Sequence, residues 1–248
     1  MEELRIHKWL SQLGTYSRRQ AEELIRENRV LVNGQNAVIG QKVRPSLDKI
    51  KVDGKIQRTS NPSLIYWMYH KPDLTLVSRV PEEGKKTIYE SKSLKSLNIR
   101  LNSFGRLDFR TEGLLLLSND GDLQNKLCHP SSKISRVYHV IVNKKLSKEE
   151  LYSCSHKGIK LKDGSVNCKI EYIQSQKLGK SRGYCYKVVV FEGRNRLVRR
   201  MFEALDLKVI RLFRVSFADI TIPLDLKPGC AKPLSSEQIQ NLKKLVKS

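Results

Sequence analysis

The chain has 248 residues, 39% of them hydrophobic, and 47 Lys and Arg against 25 Asp and Glu give a formal net charge of +22. That length holds one large domain or a small and a medium one, and that apolar fraction excludes global disorder. The charge attracts polyanions, nucleic acid or an anionic membrane surface, while no stretch approaches the roughly 18 apolar residues of a membrane span and no signal-peptide pattern opens the chain, so a soluble cytoplasmic protein is expected.

Residues 1–60 read as one small unit. Ile6, Trp9, Leu10 and Leu13 follow helical spacing and Gly14 ends that helix. Ser17 and Gln20 spell a capping box at the head of "SRRQAEELIREN", with Ala21, Leu24 and Ile25 as the apolar stripe. "RVLVNG" reads as a strand closing in an Asn33-Gly34 turn, and "KIKVDGKIQ" as a hairpin around Asp53-Gly54. Two helices and then short strands is the layout of a small RNA-binding domain. Arg18 and Arg19 stand at the start of the second helix, where free amides and the helix dipole favour phosphate.

Residues 59–63, "TSNPS", are the linker candidate. "LIYWMYHKP" follows as a strand, then residues 78–103 as a polar, Lys-rich loop with a short helix. In "GRLDFRTEGLLLLSNDG" the apolar run of residues 114–117 predicts a buried strand, with Asp120-Gly121 as a turn after it. "SRVYHVIVN" predicts a strand with Tyr138, Val140 and Val142 on one face. A helix is predicted from about Asn195, its apolar side formed by Leu197, Val198, Met201, Phe202 and Leu205, with Arg199 and Arg200 bordering it from two sides. Residues 1–60 carry a net charge of +5 (12 basic, 7 acidic) and the remainder +17 (35 basic, 18 acidic), so the larger part must also face the polyanion. The five cysteines, Cys128, Cys154, Cys168, Cys185 and Cys230, form no Cys-x-x-Cys pair, and the histidines have no metal-ligand spacing. No metal site is expected.

Three features invite a chemical reading, and each has a plainer one. Asp108 stands between Arg106 and Arg110 at the threshold of the apolar run: a surface ion pair, or a working acid held by cations beside an apolar pocket. Tyr138 alone reads as a core ring with a satisfied hydroxyl. Arg194, Arg196, Arg199 and Arg200 read as a solvated face or as phosphate contacts.

Together, the three stretches resemble the RsuA/RluB family of ribosomal RNA pseudouridine synthases. "GRLDFRTEGLLLLSNDG" matches that family's signature with Ser118 in place of a Thr, "SRVYHV" matches the block ending in its tyrosine, and "EGRNRLVRRM" matches the third block with Leu197 in place of Gln. Residues 1–60 resemble the αL RNA-binding domain typified by small-subunit ribosomal protein S-four. The resemblance implies an α+β protein, an αL domain over residues 1–60 followed by a synthase domain over residues 61–248 with a mixed, largely antiparallel sheet. It implies Asp108 as the catalytic carboxylate, Tyr138 stacking on the base, Arg199 salt-bridged to Asp108, and residues 114–117 as a dry apolar wall. RNA contacts are assigned to Arg18, Arg19, Arg106, Arg110, Arg194, Arg196 and Arg200.

The chemistry suits those residues. The base-ribose bond breaks, the uracil rotates, and a ring carbon rejoins the sugar, so no atoms are gained and no cofactor is required. Burial in an apolar pocket favours a neutral acid, and a neighbouring arginine, which keeps its proton, opposes that. The implied partner is ribosomal RNA or a ribosome-assembly intermediate, met by a monomer with no membrane involvement. "GQKVRPSLDKIKVDGK" resembles the large-subunit branch, which implies a uridine of 23S rRNA; the alternatives are the small-subunit branch, acting on 16S rRNA, and a non-catalytic rRNA-binding or ribosome-assembly protein on the same scaffold.

Overall fold

Short-range signals in the first 60 residues fold as the sequence spells them. The computed structural model describes residues 3–58, 63–179 and 181–246, so the expected linker lies outside the described residues except for Ser63. The chain divides into two units, Met1–Ile65 with Ile99–Leu101, and Tyr66–Asn98 with Asn102–Ser248.

In the first unit β1 (Leu4–Arg5) leads into α1 (Ile6–Gln12), which buries Ile6, Trp9 and Leu10. α2 (Arg18–Arg26) starts on a closed capping box. The Ser17 hydroxyl accepts from the Gln20 N–H at 3.1 Å and the Gln20 side chain accepts from the Ser17 N–H at 2.8 Å, a device that stabilises a helix by about 1 kcal/mol. β2 (Val30–Val32) and β3 (Gln35–Asn36) meet through Asn33-Gly34; after β4 (Lys42–Val43), which pairs with β1, β5 (Ile50–Val52) and β6 (Lys55–Gln57) meet through Asp53-Gly54. All four turn residues have positive φ, as two-residue hairpin loops of the mirror-image type require. The sheet order is β3-β2-β5-β6.

The second unit runs β7 (Tyr66–Lys71), α3 (Lys92–Lys95), β8 (Asn102–Ser103), β9 (Glu112–Ser118), α4 (Gly121–Cys128), β10 (Arg136–Val142), α5 (Lys148–Lys157), β11 (Ile159–Leu161), β12 (Gly164–Val166), β13 (Cys168–Leu178), β14 (Ser181–Val190), α6 (Leu197–Glu203), β15 (Val209–Phe217), β16 (Ile220–Thr221), β17 (Ala231–Pro233) and α7 (Ser236–Lys244). Its main sheet has the order β13-β14-β10-β15-β9-β7-β17, with β8 added to β9 and β16 to β15. β9 and β15 run parallel, and the other described ladders of this sheet are antiparallel. The protein is therefore α+β with a mixed, largely antiparallel sheet.

β9 lies deep in the sheet, which is why it reads as an unbroken apolar run rather than an alternating one; Leu114, Leu115, Leu116 and Leu117 are all fully buried. Gly113 lets β9 approach β15. Its φ is +103°, and a Cβ there would stand 2.3 Å from the Arg214 carbonyl oxygen. Two expectations are corrected. Asp120-Gly121 is not a turn after the strand but the start of α4: the Asp120 carboxylate accepts from the Leu123 N–H at 2.9 Å and from the Tyr66 hydroxyl at 2.7 Å. The helix expected from Asn195 begins at Leu197, because Arg196 holds a left-handed φ of +48° at its N-cap.

Candidate active site

Asp108 stands on a loop rather than at a strand edge, since β9 begins only at Glu112. Each backbone carbonyl from Asp108 to Thr111 has a donor. The Asp108 carbonyl accepts from the Thr111 N–H at 3.0 Å, that of Phe109 from the Thr75 N–H at 3.3 Å and the Lys71 ammonium at 3.1 Å, that of Arg110 from the Arg199 guanidinium, and that of Thr111 from Lys71 at 2.8 Å. Lys71 gives a further bond to the Pro72 carbonyl at 2.9 Å. A loop whose carbonyls are all engaged holds its side chains in one place. Lys71 is fully buried, and burial pulls its ammonium down to about 8 against the opposing pull of Asp73, Glu112 and Asp108.

Tyr138 comes from β10, where it pairs with Val188 of β14 and Arg214 of β15. Its ring is buried, yet its hydroxyl has no hydrogen-bond partner among the described residues. Asp108 and Tyr138 line one cleft of about 390 Å³, within the size range of small-ligand sites. Its apolar wall comes from Phe104, Leu107, Val190, Leu197, Val198 and Leu212. This corrects the expectation that residues 114–117 form that wall; those leucines lie beneath it, sealed in the sheet.

The expected ion pair between Asp108 and Arg199 is not formed. Among the described residues Asp108 makes no salt bridge, to Arg199, Arg106 or Arg110. Arg199 is buried on α6 and reaches the Asp108 loop through the Arg110 carbonyl, with its Nε buried and unpaired. Burial pushes its guanidinium below the ordinary arginine value, Arg196 adds to that, and Asp108 opposes it. Arg199 therefore acts on the loop that carries Asp108 and only at Coulombic range on the carboxylate.

The other sequence-assigned arginines divide. Arg18, Arg19, Arg106 and Arg110 are exposed, with no carboxylate partner among the described residues, and Arg106 lines the cleft. Arg194 and Arg196 also line it but are engaged: Arg194 with Glu192 at 2.6 Å and Asp163 at 3.0 Å, Arg196 with Glu203 at 3.1 Å. Arg200 pairs with Asp163 at 2.8 Å. Arg194 and Arg200 thus tie α6 and its leading loop to the β11–β12 turn. Sequence reasoning missed Lys71, Arg136 and Arg214. The last two fall in phase with the buried face of their strands, Arg136 two residues before Tyr138 and Arg214 two after Leu212, and a charge in that phase was the available signal. All five cysteines are free thiols, and Cys128 lines the cleft.

A mixed sheet brings a loop-borne carboxylate and a strand-borne tyrosine to one basic cleft, and the family profile "RNA pseudouridylate synthase" matches residues 65–204 with an S4 domain at residues 4–48. The chain belongs to the RNA pseudouridylate synthase family and is an isomerase. It is 35% identical over 246 residues to ribosomal large subunit pseudouridine synthase B of Buchnera aphidicola subsp. Acyrthosiphon pisum (strain APS), covering 98% of this chain and 97% of that one. It is 38% identical to an uncharacterized RNA pseudouridine synthase of Aquifex aeolicus (strain VF5), covering 99% and 96%, and 35% identical to ribosomal large subunit pseudouridine synthase B of Bacillus subtilis (strain 168), covering 97% and 96%. A crystallised pseudouridylate synthase superposes with a TM-score of 0.64 at 26% identity, over 96% of this chain and 99% of that one.

Proposed function

We propose that this enzyme converts one uridine of 23S ribosomal RNA to pseudouridine, with Asp108 as the carboxylate that acts on the ribose, Tyr138 as the ring that stacks on the uracil, and Arg199 as the residue that positions the Asp108 loop. The observation that carries the reading is that Asp108 and Tyr138 line the same cleft and that, among the described residues, neither side chain has a hydrogen-bond or ion-pair partner, so both are left for a substrate. The large-subunit target is supported by the relatives, which carry that substrate in their names.

The uridine leaves its helix to enter the cleft, as base-modifying enzymes require. Glycosidic cleavage develops positive charge on the sugar, which an ionised carboxylate meets, and the apolar wall keeps water from the opened intermediate. Arg106 at the cleft, with Arg110, Arg18 and Arg19, takes the flanking phosphates. Arg194, Arg196 and Arg200 reach RNA only by exchanging a carboxylate partner. The enzyme works as a monomer in the cytoplasm, on ribosomal RNA or an assembly intermediate. Among the described residues no helix is long and apolar enough to cross a membrane. The test is incubation with deproteinised 16S and 23S rRNA and with precursor ribosomal particles, and mapping of pseudouridine in each; a new pseudouridine in 16S alone would overturn the target, and none in any of them would overturn the reading.

A further inference from the structure

Two buried guanidiniums have no role in the reaction described above. Arg136 on β10 is 9% exposed and Arg214 on β15 is 2% exposed, and both line the cleft. Both lie over the ring of Phe217, at 5.3 and 5.4 Å. Neither forms an ion pair among the described residues. Arg136 donates from Nη1 to the Ile134 carbonyl at 2.8 Å, Arg214 donates from Nε to the Leu114 carbonyl at 2.7 Å, and Nη2 of Arg214 is buried with no partner. A guanidinium carries five N–H donors, so most of theirs are unused.

An unpaired buried cation is costly, and a like-charged neighbour makes it more so. The cleft itself does not offset the charge. Its lining holds Arg106, Arg136, Arg194, Arg196 and Arg214 against Asp108 and Glu192, and Glu192 is engaged by Arg194. Uracil is neutral and cannot offset it either, whereas a phosphate presents two oxygens to a guanidinium edge. That edge is open. Nε and Nη2 of Arg136 have no hydrogen-bond partner among the described residues and are not among the sealed unpaired atoms, and a Cβ at Gly193 would stand over the face of that guanidinium, 3.5 Å from Cζ and Nε and 3.6 Å from Nη2. Arg136 lies two residues before Tyr138 on β10, and Arg214 pairs with Tyr138 across the ladder, so both guanidiniums neighbour the ring assigned to the base.

We propose that Arg136, backed by Arg214 and with Nε and Nη2 unpaired at the cleft, is a preformed subsite for a phosphodiester of the RNA strand next to the uridine in the cleft. The source of the phosphate rests on the function proposed above; the anion site does not. Two measurements on the full chain separate them. In the first, inorganic phosphate replaces chloride at constant ionic strength and the thermal midpoint is followed. Phosphate should raise the midpoint of the wild type and of Arg136→Lys, and raise it less or not at all for Arg136→Gln and for Gly193→Asp, which sets a carboxylate of its own against the Arg136 guanidinium. The glycine variant keeps Arg136 in place and competes for it, so it stands as the test if Arg136→Gln fails to fold.

In the second, RNA affinity is measured against salt with a 23S rRNA fragment. Arg136→Gln and Gly193→Asp should bind more weakly, and each should lower the slope of log affinity against log salt by about 0.7, as expected when one phosphate of a single strand is no longer neutralised. Equal phosphate shifts in all four proteins, or none in any, would overturn the subsite. Phosphate shifts abolished in the variants with an unchanged RNA slope would overturn the phosphodiester as its ligand. Wild-type protein that modifies no rRNA would sink the proposed function and leave the phosphate measurement standing.

Discussion

Arg199 and Arg200 are neighbours on α6 with opposite surroundings, and the first is buried against the Asp108 loop while the second pairs with Asp163 near the surface. Arg199→Leu should therefore lower single-turnover isomerisation far more than Arg200→Leu. It should also destabilise the fold by about 1–3 kcal/mol, the cost of leaving the Arg110 carbonyl unsatisfied. Equal activities in the two variants at matched folding would remove Arg199 from the positioning role. Lys71 gives a pH signature. Its folded value of about 8 lies below the ordinary 10.5, so between those values the unfolded chain holds a proton that the folded chain has released. Stability contributed by Lys71 thus rises with pH across that window. The unfolding free energy of the wild type minus that of Lys71→Met should climb from pH 8 to 10.5 in urea titrations; a flat difference would contradict the burial. Asp108 and Tyr138 were legible because they sit in a dense local motif. Lys71 was not, because its partners lie about forty residues away and a lysine before a proline carries no sign of the carbonyls it will meet.

At the scale of elements, β9 is the strand on which the site hangs, and Gly113 is its tightest point. Gly113→Ala places a Cβ against the Arg214 backbone and puts a non-glycine residue at φ +103°. Overpacking and backbone strain together should cost on the order of 3 kcal/mol, read as a lower urea midpoint. A midpoint within error of the wild type would mean that β9 and β15 need no such approach. β7, β9, β10 and the two hairpins of the first unit were legible because their signals are local: period-two burial on β10, an apolar run on β9, and Asn-Gly and Asp-Gly turns at the hairpins; β11 to β17, with β14 and β15 flanking β10, were not read. Three helices were not identified. α5 and α7 each open on a capping box, Ser147 with Glu150 and Ser235 with Gln238, a signal present in the sequence and overlooked. α4 was misread because an aspartate before a glycine signals a turn as readily as an N-cap. The exact position of the carboxylate was not legible at all, since the loop before β9 takes its shape from Lys71 on β7 and Arg199 on α6.

Over the whole molecule, the positive charge is distributed through both units. In the first, Arg18 and Arg19 are exposed on the opening turn of α2, where backbone amides also point outward. Replacing both with Gln in the full chain should lower the slope of log affinity against log salt by about 0.7–0.9 for each phosphate that the arginines had neutralised, without changing the rate on bound RNA. An unchanged slope would assign that face to a partner other than RNA. The central claim is that this cleft, through Asp108, modifies 23S rRNA, and it is tested most directly in cells. The gene is deleted, restored as wild type or as Asp108→Asn, and pseudouridine is mapped across both rRNAs by chemical adduct and primer extension. The account predicts that one 23S position is lost on deletion, returns with the wild type, and stays uridine with Asp108→Asn although that protein is folded and binds RNA. Its return with Asp108→Asn, or a deletion that leaves every 23S position intact, would contradict the account.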